Sequence, residues 1–201
     1  YAHSPKIIGN IVERNNNLGF AQGAGYDVKW WEQAGIKLHM TNALIEGNLV
    51  RNNEAFGIWM DNDWTNSRIS RNVILNNRIA GIFMELGVGP ATVDDNLIAY
   101  TNGEGMLAHD ASGLTVAHNL MYRNADFGLA MMVASNRYIG PDHVEASHER
   151  VFNNLLIGNY RGCISLPTEA KLSHDNQCDR NVLINGNWMD SYTDPTFLIN
   201  H

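Results

Sequence analysis

Short apolar runs of roughly five residues alternate with Asn- and Gly-rich punctuation along most of the chain. One apolar phrase opens with glycine and recurs as Gly35-Ile-Lys-Leu-His39, Gly57-Ile-Trp-Met-Asp61, Gly81-Ile-Phe-Met-Glu85, Gly105-Met-Leu-Ala-His109 and Gly128-Leu-Ala-Met-Met132. Successive glycines are 22, 24, 24 and 23 residues apart. A second phrase, apolar-x-x-Asn-apolar, spans 45–49, 69–73, 93–97 and 116–120. Its asparagines, Asn48, Asn72, Asn96 and Asn119, each lie nine residues ahead of the next glycine. Asn10, Asn154 and Asn181 are weaker copies toward the two ends.

Self-similarity at a fixed period of this size marks a solenoid or a propeller. No window carries an apolar stripe of helical period long enough for a helix, whereas the short runs bounded by Asn and Gly read as strands and turns. A unit of 22–24 residues is too short for a four-stranded blade and suits one coil of three short strands. The predicted fold is therefore all-β, a right-handed parallel β-helix of the pectate-lyase type with about seven coils. Constant spacing predicts that the asparagines stack coil upon coil in a ladder rather than simply marking surface turns.

Two intervals break the period. Sixteen extra residues between Asn10 and Gly35 predict a loop over about 16–34, which contains Gly23-Ala-Gly-Tyr26 and Trp30-Trp31. Adjacent tryptophans there suit either a sugar-stacking platform or a cap over the solenoid flank. A second loop over 133–150 leaves the coil just after Met132, so it is expected to overhang the positions equivalent to Met132 in earlier coils. Its Asp142, His143, Glu145 and His148 match no metal-binding spacing and read as solvated charges. The 201 residues are expected to form one domain. Because the chain enters directly into a coil-like phrase, it reads as a segment of a longer protein.

Strand alternation turns the repeat into a chemical pattern. Within the glycine phrases Ile36, Leu38, Ile58, Met60, Ile82, Met84, Met106 and Ala108 face the coil interior. Two outward columns remain. One is Lys37, Trp59, Phe83 and Leu107; the other is His39, Asp61, Glu85 and His109. Neighbouring strands lie ~4.8 Å apart, which sets Asp61 and Glu85 at about the separation of the two carboxylates of a retaining glycosidase. Like charges that close repel, and on an ordinary exposed strand such a pair would merely destabilise it. His39 and His109 flank the pair, and Trp59 with Phe83 forms an aromatic strip suited to the apolar face of a pyranose.

Composition trims the alternatives. An apolar share of 44% excludes disorder, and no apolar run reaches the ~18 residues of a membrane span. A net charge of −7 disfavours nucleic acid and acidic polysaccharides as the main partner, while neutral glycans are unaffected. Cys163 occupies an apolar strand position and reads as a buried free thiol rather than half of a disulfide with Cys178. The compartment stays open, with an extracellular or periplasmic setting favoured over a cytoplasmic one.

The phrases AGIKLH (34–39), LIEGNLVRNNEAFGIWMD (44–61), SRISRNVILNN (67–77) and ME-x-x-x-GP (84–90) resemble those of glycoside hydrolase family 120, the β-helical β-xylosidases. The resemblance covers about a third of the chain. It implies a nucleophile at Asp61 and an acid/base at Glu85, and it implies xylan-type substrates. The chain departs from the family by one extra residue in the turn at Asn62–Asn66, where Asp63 competes for the assignment, and by lacking an inserted β-sandwich. The expected activity is thus retaining hydrolysis of an oligosaccharide or polysaccharide, with Lys37, His39, Trp59, Phe83 and His109 holding the sugar and with no metal or cofactor. A polysaccharide lyase is an alternative that needs a base such as Lys37 or His39 and an arginine or Ca²⁺, and the outward column holds no clustered arginine. A non-catalytic carbohydrate-binding or structural solenoid is the other alternative.

Overall fold

The computed structural model describes residues 4–17, 33–39, 42–133, 137–167 and 175–184, with the backbone alone of 142–143 and 198–200. Trp30, Trp31 and the Gly23–Tyr26 stretch fall outside the described residues. What is described is all-β and parallel, apart from one two-stranded antiparallel hairpin, Tyr138–Ile139 with Asp142–His143.

The coils contribute strands to three stacks. One stack takes in Ile11–Glu13, Leu49–Arg51, Val73–Leu75, Leu97–Ala99, Leu120–Tyr122, Leu155–Ile157 and Val182–Ile184. Seven strands make six steps of one coil each, in accord with the expected coil count. A second stack holds the glycine phrases, Ala34–His39, Phe56–Asp61 and Phe127–Met132 among them. The third runs through Leu44–Glu46, Arg68–Ser70 and Arg150–Phe152. The long strands Ala80–Asp94 and Glu104–Ala117 belong to both the second and third stacks.

The interior is the predicted one. Ile36, Ile58, Met60, Ile82, Met84, Met106 and Ala108 join Ile45, Ile69, Val93 and Val116 in a continuous core, with Leu38 packed against its margin. The asparagine ladder runs unbroken through Asn10, Asn48, Asn72, Asn96, Asn119, Asn154 and Asn181. At each rung the Oδ1 of one asparagine accepts both the backbone N–H and the Nδ2–H of its counterpart one coil earlier, as Asn72 does for Asn48 at 2.9 Å. The Nδ2 also donates to a carbonyl of the preceding coil, so a buried amide is left with nothing unspent.

A second ladder, five residues further on, comprises Asn15, Asn53 and Asn77, then Asn124 and Asn159. Thr101 occupies the intervening place, and its buried hydroxyl has no partner among the described residues. This ladder explains the recurring glycines. A Cβ on Gly57 would lie 2.7 Å from the Asn77 Nδ2 and 2.5 Å from the Gly81 carbonyl, and Gly35 and Gly105 meet Asn53 and Asn124 in the same way. The strand can pass over the asparagine only if it carries no side chain.

Elsewhere in the stack a polar side chain does the same work less completely. Glu149 is fully buried and accepts the Leu114 N–H at 3.2 Å with one oxygen, while its other oxygen has no partner among the described residues. Burial pushes its carboxyl well above the usual carboxylate range. Both cysteines are buried and not joined in a disulfide, as expected, and burial pushes Cys178 up to about 11.

Candidate functional site at the ends of the glycine strands

The outward column forms in register. His39 pairs with Asp61, Asp61 with Glu85, Glu85 with His109, and His109 with Met132, on successive parallel strands. Asp61 and Glu85 thus stand one strand spacing apart, ~4.8 Å. Their side chains are 15% and 16% exposed, open enough to be reached and sheltered enough for their charges to count. Asp63 is not a member. It turns away at φ +54° and its Oδ1 accepts the Thr65 hydroxyl at 2.9 Å.

The backbone at each column residue is tightly held. Directly after Asp61, Glu85 and His109 the chain enters the left-handed region at Asn62, Leu86 and Asp110, and the Asn62 N–H donates to the Glu85 carbonyl at 3.0 Å. Trp64, entirely buried, donates its indole N–H to that same carbonyl at 3.0 Å and lies over Gly87, where any Cβ would overlap the ring. The turn after Asp61 therefore fastens the strand from which Glu85 projects.

Each carboxylate has a cation. Lys37 Nζ lies 3.0 Å from Asp61, and Arg137 Nη1 lies 2.8 Å from Glu85. Arg137 comes from the second loop, which reaches over the column as its root after Met132 predicts. The same guanidinium reaches Asp110, a fully buried carboxylate, at 3.1 Å. His109 Nε2 sits 3.8 Å from Asp110 and its ring stacks on Phe83 at 6.4 Å. The column itself holds no clustered arginine, and Arg137, far from it in sequence, reaches it through an insertion. The buried Val144 donates its backbone N–H to the Arg137 carbonyl at 3.0 Å and roots it. Asp110 was also missed, since strand alternation assigns it no outward place.

The aromatic strip differs from expectation. Trp59 and Phe83 are buried, at 4% and 5% exposure, in an apolar cluster with Phe56, Leu107, Phe127 and Ala130, separate from the coil interior. Lys37 Nζ lies 3.4 Å from the centroid of the Trp59 ring, so a cation occupies the aromatic face assigned to a sugar. Trp59 and Phe83 pack ring against ring at 5.1 Å instead. The Trp59 indole N–H has no hydrogen-bond partner among the described residues. His39 remains exposed at the outer end of the column. Among the described residues no group of three or more His, Cys, Asp or Glu is arranged to hold a metal ion, and no helix is long and apolar enough to cross a membrane.

The stacked parallel coils define a right-handed β-helix. The family model for the right-handed β-helix region matches residues 24–166, and the chain belongs to that family. Among solved structures it is similar to the periplasmic alginate epimerase AlgG, at 16% identity and TM-score 0.62 over 92% of this chain and 40% of that one. A single-substitution variant of AlgG aligns over 99% of this chain and 39% of that one, at 15% identity and TM-score 0.61. This chain spans about 40% of the length of these structures, and identity at that level speaks for the fold. No curated protein matches the chain, so the resemblance to family 120 gains no support beyond its phrases.

Proposed function

We propose that the chain carries the active site of a retaining glycoside hydrolase. The observation that carries this reading is the in-register pairing of Asp61 with Glu85 on adjacent strands, at a spacing suited to a nucleophile and an acid/base on one anomeric centre. Asp61 attacks the anomeric carbon as the glycosidic C–O bond breaks, and a proton from Glu85 passes to the leaving oxygen. Water then attacks the glycosyl-enzyme, gives its proton to Glu85 and releases Asp61 as the carboxylate. Lys37 orients Asp61. Arg137 bridges Glu85 and Asp110 and holds Glu85 in place beside Asp61. His39 and His109 border the pair along the column and are placed for sugar hydroxyls.

Charge supports a neutral substrate. Three carboxylates, Asp61, Glu85 and Asp110, face two cations that are already ion-paired, so an acidic sugar would enter an anionic site. The test is a panel of nitrophenyl glycosides, β-xyloside first, offered to the protein and to its Asp61→Ala variant. Release by the parent and its loss in the variant is the expected result; equal rates in the two would refute the mechanism.

The second reading is proton abstraction beside a uronate carboxylate, as a lyase or an epimerase performs it. Arg137 and Lys37 on the column favour it, as does the likeness to a protein named as an alginate epimerase. His109 or His39 would take the proton, and Arg137 would have to exchange Glu85 for the substrate carboxylate. Ultraviolet-absorbing unsaturated product from alginate or pectate, or solvent deuterium appearing in the recovered sugar, would decide for it.

A further inference from the structure

The glycine strands have a second exposed end. Seven residues before Asp61, roughly 20 Å of extended chain away, the turns between coils form a groove of about 470 Å³. It is lined by Asn52, Glu54, Asn76, Arg78, Tyr100 and Asn102, from three successive coils. Three stacked coils give it a length of ~10 Å, about that of a disaccharide.

The asparagines there differ sharply from their neighbours in sequence. Asn53 and Asn77 are buried ladder rungs whose amides are spent on one another. Asn52, Asn76 and Asn102 are exposed, and their side-chain amides make no hydrogen bond among the described residues. Each offers two donors and an acceptor to the groove. Glu54 and Arg78 pair with each other at 2.8 Å, so the groove carries no unbalanced charge of its own.

Tyr100 supplies the aromatic surface. It is 49% exposed and adopts φ +57°, a left-handed conformation that is costly for a bulky side chain. Asn52 and Asn76 hold the equivalent places in the two preceding coils, at φ +55° and +53°, where asparagine is at ease. The ring is steadied edge-to-face by Tyr122 at 5.5 Å, and the Arg123 guanidinium lies over the Tyr122 ring. A steadied, half-open ring beside unspent planar amides is what the apolar face and hydroxyls of a sugar require.

We infer that this groove is an accessory binding site for a neutral oligosaccharide, separate from the column. The inference is independent of the hydrolase reading, because binding here requires no turnover at Asp61 or Glu85. The experiment is a titration of the protein with neutral oligosaccharides of xylose, glucose and mannose, with an alginate oligosaccharide as acidic counter-probe. It is followed by NMR of the asparagine side-chain amides. Tyr100→Asn is the test variant, since asparagine suits the backbone and should fold normally. At least one neutral oligosaccharide is expected to shift the amides of Asn52, Asn76 and Asn102, with affinity falling roughly tenfold in Tyr100→Asn and unchanged in Asp61→Ala. Overturning results are a shift caused by the acidic probe alone, no shift at these amides with any sugar, or equal affinity in Tyr100→Asn.

Discussion

The two ends of each glycine strand follow opposite rules. At the start, Gly35, Gly57 and Gly105 each pass over a ladder asparagine, Asn53, Asn77 and Asn124. At the finish, the same stack presents His39, Asp61, Glu85, His109 and Met132, with the residue type changing at almost every coil. A repeat that serves only to stack has reason to repeat, because each rung satisfies the next. Where a repeat abandons uniformity while the backbone stays in register, stacking no longer explains the residue. Monotony thus marks the scaffold, and variety marks where we propose the chemistry, within one set of strands.

The largest expected effects come from breaking that division on its varied side. Asp61→Ala or Glu85→Gln should lower turnover of an activated glycoside by about 10²–10⁴-fold, with the urea unfolding midpoint little changed. Breaking the monotonous side should do the reverse. Asn72→Ala leaves buried donors and acceptors unpaired on both neighbouring coils and should cost about 3 kcal/mol of stability in urea unfolding. Any loss of turnover there should follow the loss of folded protein.

Most of the scaffold is legible in the sequence for the same reason: uniformity is a countable signal. The period, the core residues and the Asn10-to-Asn181 ladder could be read because the same residue recurs at the same interval. The second ladder carries a similar signal, Asn48 with Asn53, Asn72 with Asn77, Asn119 with Asn124, but Thr101 breaks its recurrence. The site was legible only where it obeys the register. Asp61, Glu85 and the histidines fell into place by strand alternation. Arg137 and Asp110 did not, since one arrives through an insertion and the other is given no outward place by alternation, its backbone being left-handed within the strand. Trp59 and Phe83 show the limit of alternation itself, which says which way a side chain leaves the strand and nothing about what then covers it.

Two smaller effects sharpen the comparison from the scaffold side. Glu149 stands where a polar side chain caps a backbone N–H, yet it is a buried acid with one oxygen unpartnered among the described residues. Its carboxyl is raised in the folded state, so folding takes up a proton relative to its ordinary value of 4.5. The contribution to stability is full below that value and is lost as the pH rises toward the raised folded one. Urea unfolding across acid to neutral pH should show this decline in the parent and a flatter profile in Glu149→Gln. The smallest effect should come from repairing the ladder. Thr101→Asn supplies the missing rung between Asn77 and Asn124 and should raise stability by about 1 kcal/mol, read as a higher urea midpoint.

The most direct test of the central claim is made on Glu85→Ala with an activated nitrophenyl glycoside, with and without added azide. If Asp61 and Glu85 are a retaining pair, the variant forms the glycosyl-enzyme at Asp61 but lacks the base that activates water. Azide, which needs no base, should then restore release and yield a glycosyl azide of retained configuration. A variant that azide does not rescue, or one that turns over as fast as the parent, would contradict the pairing and leave the varied column to another chemistry.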